Sequence, residues 1–195
     1  MKNNIIIFVI IFFVGIGVYF LPQKQLAENS EGEALIGGHF LLTDHHGNQV
    51  EESDFRGRFM LVFFGFTHCP NICPTDLFIM SEAMNLLGDD NEEIVPIFIT
   101  IDPERDTQEV MASYISNFHK SFIGLTGTME QIEQAAKAYR IYYAKVKDPN
   151  SNLGYTMDHS TFTYLMDKNG KYLSHFGHNT KAHDMAEAIR NYIRR

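Results

Sequence analysis

FMLVFFGFTHCPNICPTD, residues 59–76, passes from an unbroken apolar run into a turn that holds both cysteines of the chain, Cys69 and Cys73. Eight apolar or glycine residues in a row read as a strand buried on both faces, because a half-exposed strand alternates. Pro74 then opens a second pattern, with Leu77, Met80, Met84 and Leu87 at helical spacing, which predicts a helix over 74–87. The thiols therefore fall between a central strand and its helix. There the positive end of the helix dipole favours thiolate over thiol.

The segments on either side follow the same alternation. HFLLTD, HHGN and QVEE (39–52) predict a β-hairpin, and IVPIFITI (94–101) a second buried strand. Asp106 with Glu109 opens a predicted helix to about His119, and FIGL (122–125) is short and extended. Thr128 with Gln131 is a capping-box pattern; Met129, Ile132, Ala136 and Tyr139 form the inward stripe of the helix after it. YYAKVK, TFTYLMD and KYLSHF read as strands, the last two joined by DKNG, and a final helix spans Lys181 to Arg194. Strand, helix, strand, helix, two adjacent strands and a helix is the order of a thioredoxin-like α/β fold. Here it carries an N-terminal β-hairpin and an inserted helix–strand element.

The N-terminus differs in kind. Residues 5–21, IIIFVIIFFVGIGVYFL, carry no charge and would span roughly 26 Å as a helix, enough for one transmembrane helix. No small-x-small cleavage site follows closely, so an uncleaved anchor is favoured over a signal peptide. Residues 1–4 with Lys2 are assigned to the cytosol, 22–35 to a polar tether, and 36–195 to the folded domain. That orientation places the domain in a bacterial periplasm, on the outer side of the inner membrane. The net charge of −8 argues against nucleic acid as a partner, which demands a basic face.

Three readings compete for Cys69 and Cys73. As a structural staple the pair closes a five-residue loop, for which loop entropy supplies only about 2 kcal/mol. As a redox pair it has one residue more than the usual C-x-x-C spacing. As a clamp for a soft metal, two thiolates suit Cu(I) and accept imidazole as a third ligand. Of the nine histidines, His45 and His46 sit in a turn, and His39, His119, His175, His178 and His183 in polar, surface-like contexts. His68 adjoins Cys69, where neighbouring side chains diverge. His159 precedes a predicted central strand, in a loop that such folds bring beside the thiol turn.

GFTHCPNICP, ITIDPERDT, FIGLTGT, YRIYYAKV and YTMDHSTFTYLMDKNGKYL, in that order, resemble the Sco family of copper-binding cytochrome c oxidase assembly proteins. The likeness covers residues 36–195. It implies a membrane-anchored, thioredoxin-like copper chaperone with Cys69, Cys73 and His159 as ligands of Cu(I), and of Cu(II) where a further oxygen or nitrogen joins. The implied acceptor is the dinuclear copper centre of cytochrome c oxidase subunit II, with an upstream copper donor and a thiol reductant as further partners. Asp158 is a candidate to orient His159, and Asp102, Glu104 and Arg105 are candidates for supporting the site or binding a partner, or for a plain turn and ion pair. Asn71 stands where the family commonly has aspartate, and Gln108 where proline often follows D-P-E-R-D-T. The alternative function is a thiol–disulfide reductase that keeps the acceptor's cysteines reduced, which needs both thiols but not His159. A peroxidase is disfavoured: ICPTD resembles the CPT stretch of peroxiredoxins, but Pro70 replaces their threonine three residues before the cysteine.

Overall fold

The computed structural model describes residues 36–149, 151, 154–178 and 180–194. The anchor expected over 5–21 and the tether over 22–35 lie outside them. Among the described residues no helix is long and apolar enough to cross a membrane.

A seven-stranded sheet carries the structure. The expected hairpin forms as β1 (Leu41–Asp44) and β2 (Gln49–Glu51), and the two buried runs form β3 (Phe59–Gly65) and β4 (Ile94–Thr100). With β5 (Ile123–Thr126), β8 (Thr163–Met166) and β9 (Tyr172–Phe176) the order across the sheet is β2-β1-β5-β4-β3-β8-β9. β3 runs parallel to β4 and antiparallel to β8. Every residue of β3 and β4 is buried, which is why their sequences show no alternation. Pro96 lacks the N–H a central strand needs, and β4 meets this by pairing with β5 only from Ile97 onward.

Among the described residues four α-helices flank the sheet: α1 (Ile72–Leu87), α2 (Gln108–Ile115), α3 (Met129–Ala138) and α4 (Ala182–Ile193). α1 packs on α4, and Phe64 meets Tyr139 at the end of α3 with ring centroids 5.3 Å apart. Side chains of β3 alternate, so Phe64 and Gly65 look to opposite faces, and Gly65 faces the sulfur of Cys73.

Four expectations shift. α1 begins at Ile72 rather than Pro74, because proline is tolerated in a first turn whose N–H groups have no helical acceptor. Cys73 is thus helical. α2 starts after Thr107, whose side chain accepts from the Val110 N–H, and ends at Ile115; Asp106 is drawn inward instead. In α3 both capping-box bonds form, yet Met129 is 49 % exposed, since the first residue after the cap points past the sheet. YYAKVK does form a strand, β6 (Tyr143–Lys147). It pairs with β7 (Tyr155–His159), a strand the sequence reading did not separate, and the two make a ribbon of their own outside the main sheet.

Candidate metal centre

The thiol turn is built by the start of α1. Both cysteines are free; Cys69 is half-buried and Cys73 fully buried. The N-cap residue Asn71 makes no capping bond with its side chain. Cys69 Sγ takes that place, accepting the Cys73 N–H at 3.3 Å. The sulfur is also held by the Cys73 thiol, its leading influence, and by the N–H groups of Asn71 and Ile72. Together they bring its pKa from 9.0 to about 5 despite partial burial. Cys69 is therefore a thiolate at neutral pH. Cys73 moves the opposite way: its proton is held by Cys69, and burial and the Cys69 charge both disfavour a second anion.

His159 arrives from the far end of the chain, as the last residue of β7. Its Nε2 lies 3.6 Å from Cys73 Sγ, across 86 positions of sequence. Its Nδ1 lies 2.8 Å from the Ser160 carbonyl, which can only accept, so Nδ1 carries the proton and Nε2 turns its lone pair to the sulfur. Phe63 and Phe66 meet the ring edge-on at 6.3 and 5.9 Å. Burial among them lowers the imidazole pKa, favouring the neutral form that ligates metals. The orienting acceptor is thus the Ser160 carbonyl, while Asp158 is exposed and lines the cleft beside the ring.

The segment Asp102–Asp106 holds both halves of this arrangement. Asp106, fully buried, accepts from Thr67 N at 3.0 Å, Thr67 Oγ1 at 2.6 Å and Thr100 Oγ1 at 2.6 Å, which ties down the chain just before the thiols. Arg105 pairs through Nε with the buried Asp102 and lies over the Tyr155 ring, Cζ to centroid 3.8 Å. Tyr155 begins the strand that ends in His159, and its hydroxyl donates to Asp102 at 3.1 Å. Glu104, by contrast, is exposed and pairs with Lys145 at 2.7 Å. Thr67 and Tyr155 carry no signal of their own in the sequence, and Asp106, expected to open a helix, is instead the buried acceptor of the thiol turn.

A cleft of about 310 Å³ opens over the site, lined by Phe66, Cys69, Asn71, Ile72, Asp158 and His159 among others. Among the described residues no three histidine, cysteine or acidic side chains already surround one point. The contacts run in sequence instead, Cys69 to Cys73 to His159, so the sulfurs must turn to converge on an ion. Two thiols, one ionised, and a neutral imidazole remain a donor set suited to a soft, low-coordinate cation. Three of the other histidines are engaged elsewhere: His178 Nδ1 with Asp76 at 2.8 Å, His45 Nδ1 with the Gly124 N–H at 3.1 Å, and His68 Nδ1 with Thr67 Oγ1 at 3.0 Å.

The SCO1/SenC family profile matches residues 28–194. The SCO2-like protein of Rickettsia prowazekii is 40% identical over 202 residues, covering 98% of each chain. Among solved structures, Arabidopsis thaliana ScoI with copper bound superposes with a TM-score of 0.77 at 37% identity, covering 82% of this chain and 98% of that one. BsSco, a member of the Sco family of cytochrome c oxidase assembly proteins in which a disulfide switch was identified, superposes with a TM-score of 0.63 at 25% identity, covering 80% and 92%. The chain belongs to the SCO1/SenC family.

Proposed function

We propose that the protein is a copper chaperone that carries copper on Cys69, Cys73 and His159 and delivers it to the dinuclear copper centre of cytochrome c oxidase subunit II. The observation that carries this reading is the approach of His159 Nε2 to Cys73 Sγ, beside a thiolate already formed on Cys69. The copper-bound Arabidopsis relative and the oxidase-assembly role of BsSco support it. The strand order, with Cys69 in the turn after β3 and Cys73 in the first turn of α1, supports a thioredoxin-like fold. Residues 36–195 act as the copper-binding domain. Residues 5–21 would anchor it in the bacterial inner membrane, with 22–35 as the tether into the periplasm.

Copper is cargo here. Two sulfurs and one nitrogen leave it unsaturated, so an acceptor thiolate can enter before a chaperone ligand departs, and no free ion is released. A disulfide between Cys69 and Cys73 removes two of the three donors, so loading requires a reductant. The test is Cu(I) binding under a competing chelator by the reduced protein and by Cys69→Ala, Cys73→Ala and His159→Ala. Each substitution is expected to lower affinity; three unaltered affinities would refute the proposal.

One observation favours a second reading, thiol–disulfide reductase: a thiolate with a pKa of about 5 next to a buried thiol is the pairing that attacks or resolves a disulfide. This role needs the sulfurs alone. Oxidase assembly that survives His159→Ala but not Cys69→Ala would select it.

A further inference from the structure

The β6–β7 ribbon, which delivers His159, shares no ladder with the seven-stranded sheet among the described residues. Something other than backbone pairing must set the distance between imidazole and thiols. At its near end the ribbon is closed on itself, Tyr142 and Ser160 exchanging bonds of 3.0 and 3.2 Å. At the other end two cations bridge it to the body of the protein: Lys145 of β6, exposed and paired with Glu104, and Arg105, which is buried.

We propose that Arg105, locked by Asp102 and stacked on Tyr155, is a positioning residue for His159: it fixes the ribbon against the thiol turn and so sets the imidazole within reach of Cys73. This rests on the reading of His159 as a ligand. Arg105 Cζ lies 3.8 Å from the Tyr155 ring centroid and 5.7 Å from that of Phe66. Phe66 in turn presents its ring to His159 at 5.9 Å. Tyr155, guanidinium, Phe66 and imidazole thus form a continuous series from the start of β7 back to its end. Arg105 Nη1 also donates to the Tyr155 carbonyl at 3.4 Å, and the Tyr155 hydroxyl returns to Asp102, closing the clamp.

Burial argues against the simpler alternatives. The Arg105 side chain is 11% exposed and that of Asp102 2%, so neither is presented to a partner; Glu104 and Lys145, at 55% and 45%, are the groups a partner could meet. A buried ion pair contributes little net stability against its desolvation cost. Arg105 Nη2 is moreover buried without a hydrogen-bond partner among the described residues, a further cost. A planar cation lying over two rings offsets that cost by its attraction to their faces, and what it gains is a fixed ribbon.

Two measurements test the clamp. The first is amide hydrogen exchange on the reduced, metal-free protein and on Arg105→Gln and Arg105→Lys. Exchange in 155–160 is expected to quicken by about tenfold or more in both variants, with β3 and β4 unchanged, because lysine keeps the charge but not the flat stack. Unchanged ribbon exchange in Arg105→Gln, equal quickening throughout β3 and β4, or full restoration by Arg105→Lys would each overturn it. The second is Cu(I) competition for Arg105→Gln, His159→Ala and the double variant. Arg105→Gln is expected to weaken binding in the wild-type background and add nothing in the His159→Ala background. Equal losses in both backgrounds would mean that Arg105 acts other than through His159, and the proposal fails. If His159→Ala itself binds Cu(I) like the wild type, the ligand reading fails, while ribbon exchange still decides whether the clamp exists.

Discussion

Gly65 leaves room for the sulfur of Cys73: a Cβ built on it would sit 2.9 Å from Cys73 Sγ, and equally close to the Phe98 ring. The backbone of β3 is extended there, so what glycine supplies is space rather than an unusual dihedral angle. The thiol can be fully buried under α1 and still reach His159 only because β3 has no side chain at that point.

Gly65→Ala is therefore expected to push the Cys73 thiol away from His159 and to strain β3 against β4. Overpacking of a filled core costs about 1–3 kcal/mol. Denaturant midpoints should fall accordingly, and Cu(I) affinity with them. A variant with wild-type stability and affinity would show that the sulfur has another place to go.

The two thiols should titrate far apart. The Cys69 pKa of about 5 lies below its unfolded value, so the thiolate's contribution to stability is fully present above that unfolded value and is lost as pH falls through 5. Alkylation of the reduced protein is expected to modify Cys69 first, with a rate that halves near pH 5. Removing the Cys73 thiol takes away the leading influence on Cys69, so Cys73→Ala should raise that midpoint. A midpoint that stays put in Cys73→Ala would assign the acidity of Cys69 to the backbone N–H groups alone.

Thr67 links the thiol turn to a carboxylate that no water reaches. Its hydroxyl donates to Asp106 at 2.6 Å, and a hydrogen bond to a buried charge contributes about 1.5–3 kcal/mol. Thr67→Val keeps the shape and loses the donor, so thermal or denaturant unfolding should show a loss in that range. Serine at the same position restores the hydroxyl and should recover most of it. Equal stability of the valine and serine variants would leave the backbone N–H of Thr67 as the operative tether.

The sequence revealed the parts of this site that depend on local pattern. The unbroken apolar runs of β3 and β4 are legible because both faces of those strands are covered, and Thr128 with Gln131 forms the capping box its spacing promises. Pro74 misplaced the start of α1 by two residues, since a first turn tolerates what a helix interior does not. Asp106 was misassigned to the helix start because a buried carboxylate and an N-cap draw on the same residue type; only the tertiary placement of Thr67 and Thr100 distinguishes them. β7 was hidden for a similar reason. Its partner is β6 rather than the main sheet, and its five residues, only one of them buried, are too short a run to stand out. The clamp of Arg105 on Tyr155 joins positions 50 residues apart and leaves no periodic trace.

Asn71, at the mouth of the cleft, offers the last test. It is exposed, caps α1 without a side-chain bond, and its own N–H supports the Cys69 sulfur. In Asn71→Asp two influences oppose each other. A carboxylate at a helix N-terminus gains about 0.3–1 kcal/mol from the dipole, so the domain should melt slightly higher. The same charge stands beside the Cys69 thiolate, and like charges disfavour ionisation, so the Cys69 midpoint should move above 5. A cation bound between the sulfurs would feel the added charge as attraction, and Cu(I) affinity measured well above that midpoint should rise. Affinity that falls while the melting temperature rises would mean that the carboxylate competes for the N–H groups now held by Cys69 Sγ, displacing the sulfur from the helix end.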